Sequence, residues 1–317
     1  MSRPVTVSCL TAVPLTIGAD VSVDEVIDRE IAHWAERLEA VLPDRPDIIV
    51  LPEAADRPDS TGFRTDRQHE YYVHRGMRVR DYFSSRAAEN GCYIAYSSGL
   101  IDDDGKRNAT QIIDRSGAIV GEYVKNHPTV PENEEIGLEY GTGPTVFNLD
   151  FGRVGAAICF DLNFEELRAQ YAQAKPELII FSSEYHGSLM QNYWAYSLRA
   201  YVAACIRPPA PSAIISPLGE TLKESTNYFP HVTQRINLDF AVAHLDGNWE
   251  KLAAARKKYG PEVGVHDPGR LGSVLITSES SDFSAADIVK EFDIELLDDF
   301  LNRCRRHRAG KLAETAA

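Results

Sequence analysis

Apolar positions along this chain alternate between two spacings, which predict strands and helices in turn. Residues 1–13 alternate apolar and polar side chains, as a half-buried strand does. Ser22 and Glu25 then form a predicted capping box at a helix start. The apolar residues that follow recur every three or four positions and predict one buried helix face: Val23, Ile27, Ile31, Trp34 and Leu38.

Short apolar runs between turn residues predict further strands over 47–52, 92–101, 108–114, 118–124, 145–149, 153–159, 177–182, 212–216 and 220–223. Helical patterns separate several of these runs, from about 69 to 90, over 163–174 and over about 189–203. This alternation favours a layered α/β sandwich.

The last part of the chain has its own pattern. An alternating run from Ile236 to Val242 predicts a final strand, and a helix over 249–259, a strand over 272–277 and a helix over 284–307 follow. We expect one domain over 1–246 and a C-terminal extension over 247–317. The last helix carries an apolar stripe that would pack on the domain or across a dimer: Ile288, Phe292, Leu296, Phe300 and Leu301.

Three chemically useful side chains each follow a predicted strand. Glu53 ends the run Leu-Pro-Glu, Lys125 ends the strand over 118–124, and Cys159 ends the run Gly-Ala-Ala-Ile-Cys. Ligands of α/β proteins commonly bind at such strand ends. A free thiol titrates near pH ~8.5, so a nucleophilic cysteine needs a base and a charge partner. A glutamate and a lysine supply both, whereas any one of the three alone is more often structural.

These residues resemble the nitrilase superfamily of carbon–nitrogen hydrolases. The resemblance extends from about Val5 to about Asp246 and includes Leu-Pro-Glu53, Lys125 and Ile-Cys159-Phe-Asp161. It implies a four-layer α-β-β-α sandwich and a Glu–Lys–Cys triad of Glu53, Lys125 and Cys159. It also implies a second glutamate after the lysine, for which Glu132 fits best and Glu135 is the alternative.

The implied chemistry is hydrolysis of a non-peptide C–N bond through a cysteine thioester. Glu53 would act as the base and Cys159 as the nucleophile. Lys125 and the backbone N–H of Phe160 would bind the oxyanion. Water is the co-substrate, and the resemblance implies no metal or organic cofactor. Tyr185 and His186 follow a predicted strand and are candidate substrate contacts, with a surface loop as the alternative.

Two motifs point to different branches of the superfamily. Phe160-Asp161 after the cysteine is similar to amidases and carbamoylases, whereas Lys125-x-x-Pro-Thr-x-x-Glu132 is similar to the nitrilase loop. Because residues beside the nucleophile lie nearest the substrate, we expect an amidase or carbamoylase of a small linear compound. A nitrilase and a catalytically silent scaffold of the same fold are the alternatives.

Composition narrows the class of partner. Acidic residues outnumber basic ones 47 to 33 and give a net charge of −14, which disfavours nucleic-acid binding. Five irregularly spaced cysteines argue for reduced thiols and a cytoplasmic location. No stretch approaches the ~20 apolar residues of a membrane span. We therefore expect a cytoplasmic protein with no nucleic-acid or membrane partner. The resemblance implies an enzyme with a small-molecule substrate, and the apolar stripe of the last helix leads us to expect a homodimer or higher homo-oligomer.

Overall fold

The computed structural model describes residues 1–59, 65–103 and 105–316. The chain forms two compact units, one of residues Val5–Arg235 and one of Met1–Pro4 with Ile236–Ala317. Within the described ranges, no helix combines the length and the apolar character that a bilayer span requires.

The larger unit contains two six-stranded sheets. The first has the strand order β12-β1-β2-β3-β4-β5, and its strands are β1 (Pro4–Leu10), β2 (Ile48–Val50), β3 (Tyr93–Asp102), β4 (Gly105–Ile113), β5 (Ile119–Val124) and β12 (His231–Asn237). The second has the order β11-β10-β9-β8-β7-β6, with β6 (Val146–Leu149), β7 (Gly152–Ile158), β8 (Leu178–Ser183), β9 (Tyr201–Ile206), β10 (Ala213–Ile215) and β11 (Thr221–Glu224).

Helices cover these sheets because their apolar faces need burial. The helices α1 (Val23–Leu38), α2 (Thr65–Arg75) and α3 (Arg78–Asn90) share an apolar core with the first sheet. The helices α4 (Glu165–Ala174) and α5 (Leu189–Leu198) share a second core with the other sheet. The two sheets are joined where Ser182 Oγ donates to the carbonyl oxygen of Leu51 at 2.8 Å. The layered α/β sandwich predicted from the sequence is therefore confirmed.

Parallel pairing in the middle of each sheet sets the position of the site. β1, β2 and β3 pair in parallel, as do β7, β8 and β9. Their central residues are buried on both faces, which explains the continuous apolar runs. The polar residues at the ends of β2, β7 and β8 thus lie in one region of the unit.

The smaller unit has a three-stranded antiparallel sheet of order β13-β15-β14. Its elements are β13 (Phe240–His244), α6 (Trp249–Tyr259), β14 (Val263–His266), β15 (Ser273–Ser278), α7 (Ala285–Glu291) and α8 (Leu297–Ala316). Ile288 of the predicted apolar stripe is buried in the core of this unit. Phe300 stacks on His244 with ring centroids 3.9 Å apart.

Several predicted boundaries are wrong, and backbone conformation explains them. The helix expected over 189–203 ends at Leu198, because Arg199 adopts a left-handed conformation with φ 54° and β9 begins two residues later. The helix expected over 69–90 is interrupted at Gly76, where φ is 50°. The helix expected over 284–307 divides into α7 and α8 around Asp293, where φ is again 50°. The expected final strand divides at Leu238 into β12 and β13, and β14 was not predicted.

Candidate active site

Three strand ends bring the predicted triad together. Glu53 follows β2 and Lys125 follows β5, both in the first sheet, whereas Cys159 follows β7 in the second. Glu53 contacts Lys125 directly, and the charges of both residues act on the Cys159 thiol. The residues that the sequence singled out therefore occupy one place in the structure.

Glu53 is a buried carboxylate with three protein donors. Its Oε1 accepts from Lys125 Nζ at 2.9 Å and from Asn108 Nδ2 at 2.7 Å. Its Oε2 accepts from the backbone N–H of Glu184 at 3.0 Å. The residue is only 3% exposed, so these donors replace the water that would otherwise solvate its charge. The donors fix the direction in which Glu53 can take up a proton.

Lys125 lies between two carboxylates. Its ammonium donates to Glu53 and to both oxygens of Glu132, at 2.9 and 3.0 Å. Burial disfavours the charge of Lys125, but the negative charges of Glu53 and Glu132 outweigh burial and raise its pKa above the ordinary value. The charged form of Lys125 is therefore favoured, which suits it to bind an oxyanion rather than to act as a base.

A short loop places Glu132 on the lysine. The backbone N–H of Thr129 donates to Oε2 of Glu132 at 2.6 Å, and the Glu132 N–H lies 3.4 Å from Thr129 Oγ1. Burial acts to raise the pKa of Glu132, but hydrogen bonds from Lys125 and Thr129 bring it below its ordinary value of 4.5. The alternative, Glu135, lines a neighbouring cavity.

Cys159 stands at a sharp turn between β7 and a short 3₁₀ helix. Its φ of 51° is left-handed, a conformation that costs energy in a residue other than glycine and often marks a functional site. Burial, followed by the negative charge of Glu53, raises the pKa of the thiol to about 12, whereas Lys125 acts in the opposite direction. The resting cysteine is therefore a neutral thiol that needs a base at the moment of attack.

The remaining predicted site residues are Phe160, Tyr185 and His186. Phe160 is the second residue of the 3₁₀ helix, in the first turn, where a backbone N–H has no acceptor within the helix and can bind an oxyanion. The Tyr185 hydroxyl lies 3.3 Å from Asn163 Oδ1, and the side chain is 37% exposed. Nδ1 of His186 accepts from the N–H of Ser188 at 3.1 Å. Nε2 of His186 is buried and has no hydrogen-bond partner among the described residues.

A cavity of about 140 Å³ adjoins the triad. Two of its lining residues, Asn108 and Glu132, each contact a member of the triad. The lining also includes Arg57, Tyr72, Lys106 and Ile136. Lys106 Nζ donates to the carbonyl oxygen of Ile136 at 3.2 Å, and no carboxylate of the described residues forms an ion pair with it. Tyr185 and His186 are not among the residues that line this cavity.

Three contacts of the site were not predicted. Glu184 supplies a backbone donor to Glu53, while its carboxylate pairs with Arg57 and Arg207. Asn108 binds the same carboxylate as Lys125. Asp161 contacts the segments around both Lys125 and Cys159. The sequence gives one signal that relates to these contacts, which is that Asn108 and Asp161 are polar residues next to apolar runs.

Comparison with known proteins identifies relatives of the chain. Residues 23–239 match the carbon–nitrogen hydrolase family. Omega-amidase NIT2 of Danio rerio is 25% identical over 226 residues, covering 67% of this chain and 79% of that protein. The 2-oxoglutaramate amidase of Bacillus subtilis (strain 168) is 25% identical over 166 residues, covering 50% of this chain and 62% of that protein.

A solved structure has a similar fold. Saccharomyces cerevisiae Nit3, described as a member of branch 10 of the nitrilase superfamily, superposes with a TM-score of 0.61 at 19% identity. The similarity covers 74% of this chain and 90% of Nit3. At this identity, the comparison establishes the fold.

Proposed function

Since this chain belongs to the carbon–nitrogen hydrolase family, we propose that Cys159, Glu53 and Lys125 hydrolyse a small linear amide or carbamoyl compound. The amidase-type hydrolase class predicted from the sequence is confirmed by the family and its relatives. The observation that supports the residue roles is the geometry of Glu53, which accepts from Lys125 at 2.9 Å and acts on the neutral Cys159 thiol.

In the proposed acylation, the Glu53 carboxylate takes the thiol proton as Sγ attacks the carbonyl carbon. The π electron pair moves to the carbonyl oxygen, which the Lys125 ammonium and the Phe160 N–H bind. Glu132 keeps Lys125 charged and directed. The tetrahedral intermediate collapses, the C–N bond breaks, and the nitrogen leaves as ammonia or an amine with the proton from Glu53. A thioester on Cys159 remains.

Deacylation reverses the direction of proton transfer. Glu53 takes a proton from water, and the resulting hydroxide attacks the thioester carbon. The C–S bond breaks, the acid product leaves, and the thiol regains its proton from Glu53. Every group in the proposed cycle is a side chain or backbone group of this chain, or water.

The residues that line the cavity indicate which chemical group of a substrate would bind there. Lys106 has no carboxylate partner among the described residues, and Tyr72 and Arg57 also line the cavity. We infer that the substrate carries a negatively charged or acceptor-rich group at the end away from the scissile amide. The relative from Bacillus subtilis is called 2-oxoglutaramate amidase, and 2-oxoglutaramate has such a group. Tyr185 and His186 are proposed as contacts on the cysteine side of the site.

The experiment combines ammonia release with intact mass spectrometry. The panel contains 2-oxoglutaramate, a neutral linear amide of similar length, a carbamoyl compound and a nitrile. We expect ammonia from an amide or carbamoyl compound and an acyl adduct on Cys159 that Cys159→Ala lacks. Hydrolysis of the nitrile alone would favour the nitrilase, for which the Thr129–Glu132 loop is the supporting feature. Ammonia release by Cys159→Ala at the wild-type rate would contradict the proposed roles.

A second variant tests the substrate end. Lys106→Met removes one cation from the cavity lining and leaves the triad contacts in place. We expect a higher KM for 2-oxoglutaramate and an unchanged KM for the neutral amide. An equal change for both substrates would contradict recognition of a charged end.

We also propose a homodimer or higher homo-oligomer in the cytoplasm, without a nucleic-acid or membrane partner. In this proposal residues 1–246 form the hydrolase domain and 247–317 an extension packing on it or across a dimer. All residues over 302–315 are exposed, and a helix this short is marginal alone in water. The five free cysteines agree with a reducing compartment. If the chain ending at residue 301 scatters light as the same oligomer, α8 is not the dimer contact.

A further inference from the structure

Asp161 has a fully buried carboxylate that accepts from several donors. Its Oδ2 accepts from the hydroxyl of Tyr123 at 2.6 Å and from the backbone N–H of Ile158 at 3.0 Å. Its Oδ1 accepts from the backbone N–H of His127 at 2.8 Å, and Nδ1 of the same histidine lies 3.2 Å away. A buried carboxylate with this many donors has one orientation in which all of them are satisfied.

These donors come from both sheets. Tyr123 and His127 stand two residues before and two residues after Lys125, on β5 and in the loop that follows it. Ile158 precedes Cys159 at the end of β7. One carboxylate therefore connects the segment that carries the lysine in the first sheet to the turn that carries the cysteine in the second.

The groups around Asp161 leave it little freedom. The ring of His127 stacks on Phe164 with centroids 3.6 Å apart and planes 4° apart. Burial, followed by the negative charge of Asp161, raises the pKa of Tyr123 well above 10, so this hydroxyl remains a donor. Asn126 Nδ2 donates to the same hydroxyl at 3.1 Å. Both sides of the connection are thus held by further contacts.

We propose that Asp161 is a positioning residue, which sets the distance and angle between the Lys125 ammonium and the Cys159 sulfur. The inference rests on the roles proposed above for those two residues. Asp161 touches neither of their side chains, and it acts on the segments that hold them. The reaction needs both groups on one carbonyl, so a shift of either segment misplaces the oxyanion site relative to the attacking atom.

The test is Asp161→Asn, which conserves size and removes the charge. An amide has one oxygen and one NH₂ group. On one side of residue 161 the NH₂ group would therefore face other donors, either those of Tyr123 and Ile158 or those of His127. We expect kcat for 2-oxoglutaramate, or for the best amide of the panel, to fall by about 10²-fold with KM nearly unchanged, because a misplacement of ~1 Å is that costly.

Alkylation of Cys159 by iodoacetamide separates positioning from general damage. This displacement develops no oxyanion, so Lys125 affects it only through the pKa of the thiol and not through an oxyanion contact. We expect the alkylation rate of Asp161→Asn, followed by intact mass, to stay within about threefold of wild type while hydrolysis falls. Equal losses of hydrolysis and alkylation, or no loss of either, would overturn the proposal.

Two controls make the outcome specific. Tyr123→Phe removes one donor and keeps the Asp161 charge, so we expect a loss of hydrolysis intermediate between wild type and Asp161→Asn. Asp239→Asn changes a buried aspartate of the other compact unit and should leave kcat unchanged. Cys159→Ala shows whether the proposed function holds. If it abolishes hydrolysis while Asp161→Asn does not, only the positioning role is wrong. If no variant or wild type hydrolyses the panel, both proposals fail.

Discussion

Lys125 donates to Glu53 at 2.9 Å although the two residues are only 1% and 3% exposed. A buried ion pair is stable when further hydrogen bonds satisfy its remaining atoms, and here Asn108, Glu132 and the Glu184 N–H supply them. The pair therefore holds a cation and a carboxylate beside a thiol that stays neutral. In the proposed mechanism, this arrangement separates the group that binds the oxyanion from the group that moves the proton.

The first prediction concerns the titration of Cys159. The thiol pKa lies at about 12, raised first by burial and then by the charge of Glu53. Glu53→Gln removes that charge, so the thiolate should appear at lower pH than in wild type. Hydrolysis should fall by about 10³-fold in the same variant, because the base is lost. Ultraviolet thiolate absorbance against pH measures the first effect, and ammonia release measures the second.

Cys159→Ala provides the baseline for the other four cysteines in that titration. A thiolate signal that Cys159→Ala removes at neutral pH would show a preformed ion pair and contradict the neutral thiol. A titration that moves to higher pH in Glu53→Gln would contradict the assigned sign of the Glu53 effect.

The second prediction compares two glutamates of one loop. Glu132→Gln loses the charge that contacts Lys125 through both oxygens, and kcat should fall by about 10²-fold, as for other groups that support an oxyanion site. Glu135→Gln is the matched control, because Glu135 lines the cavity and forms no ion pair with Lys125. Its kcat should remain within a few-fold of wild type. Equal kcat losses in the two variants would contradict the assignment of Glu132 as the second glutamate.

The sequence singles out Glu53, Lys125 and Cys159 by local signals, and the structure brings these three residues together. Each of them follows an apolar run at the end of a strand, where α/β proteins commonly bind ligands. The alternating pattern likewise predicts most strands of the two large sheets. The structure adds the pairings between distant segments, such as the Glu184 N–H on Glu53, which no local pattern contains.

Element boundaries depend on single backbone conformations, and the sequence does not display them. Arg199 and Asp293 adopt left-handed φ values that end or interrupt helices, although neither is a glycine. Helical propensity continues past both positions, so the expected helices were too long. Asp161 belongs to the branch signature Phe160-Asp161, yet its contacts with Tyr123 and His127 require two sheets to meet. Such contacts are tertiary and have no spacing rule.

The third prediction concerns Glu30, a buried carboxyl of α1 whose Oε1 has no partner among the described residues. Burial, followed by the charge of Asp56, raises its pKa from 4.5 to about 8. A raised pKa means that the neutral form is favoured in the folded state, so its stability contribution is full below about pH 4.5 and is lost as pH rises through 8. Glu30→Gln should therefore raise Tm more at about pH 8.5 than near pH 4.5.

The gain should be at most a few kcal/mol, because each tenfold change of an acid constant corresponds to about 1.4 kcal/mol. Glu25→Gln on the exposed side of α1 is the control, since its side chain is half exposed and pairs with Arg29. It should show no comparable gain at high pH. Differential scanning fluorimetry of both variants at both pH values measures these changes in Tm. A Glu30→Gln effect that is independent of pH would contradict the buried neutral carboxyl.

The last prediction tests a close approach beside Lys125. The Gly141 N–H donates to the carbonyl oxygen of Lys125 at 2.8 Å, and a Cβ at position 141 would lie 2.3 Å from the Val124 carbonyl oxygen. Because that neighbour is backbone, Gly141→Ala must move the strand that leads to Lys125. We expect a loss of about 1–3 kcal/mol in the free energy of unfolding, with lower kcat.

Gly310→Ala in α8 meets no atom within 4 Å and should instead be neutral or stabilise the chain by about 0.5–1 kcal/mol. Urea unfolding and amide hydrolysis measure both variants. If Gly141→Ala retains wild-type kcat, the position of Lys125 does not depend on this contact.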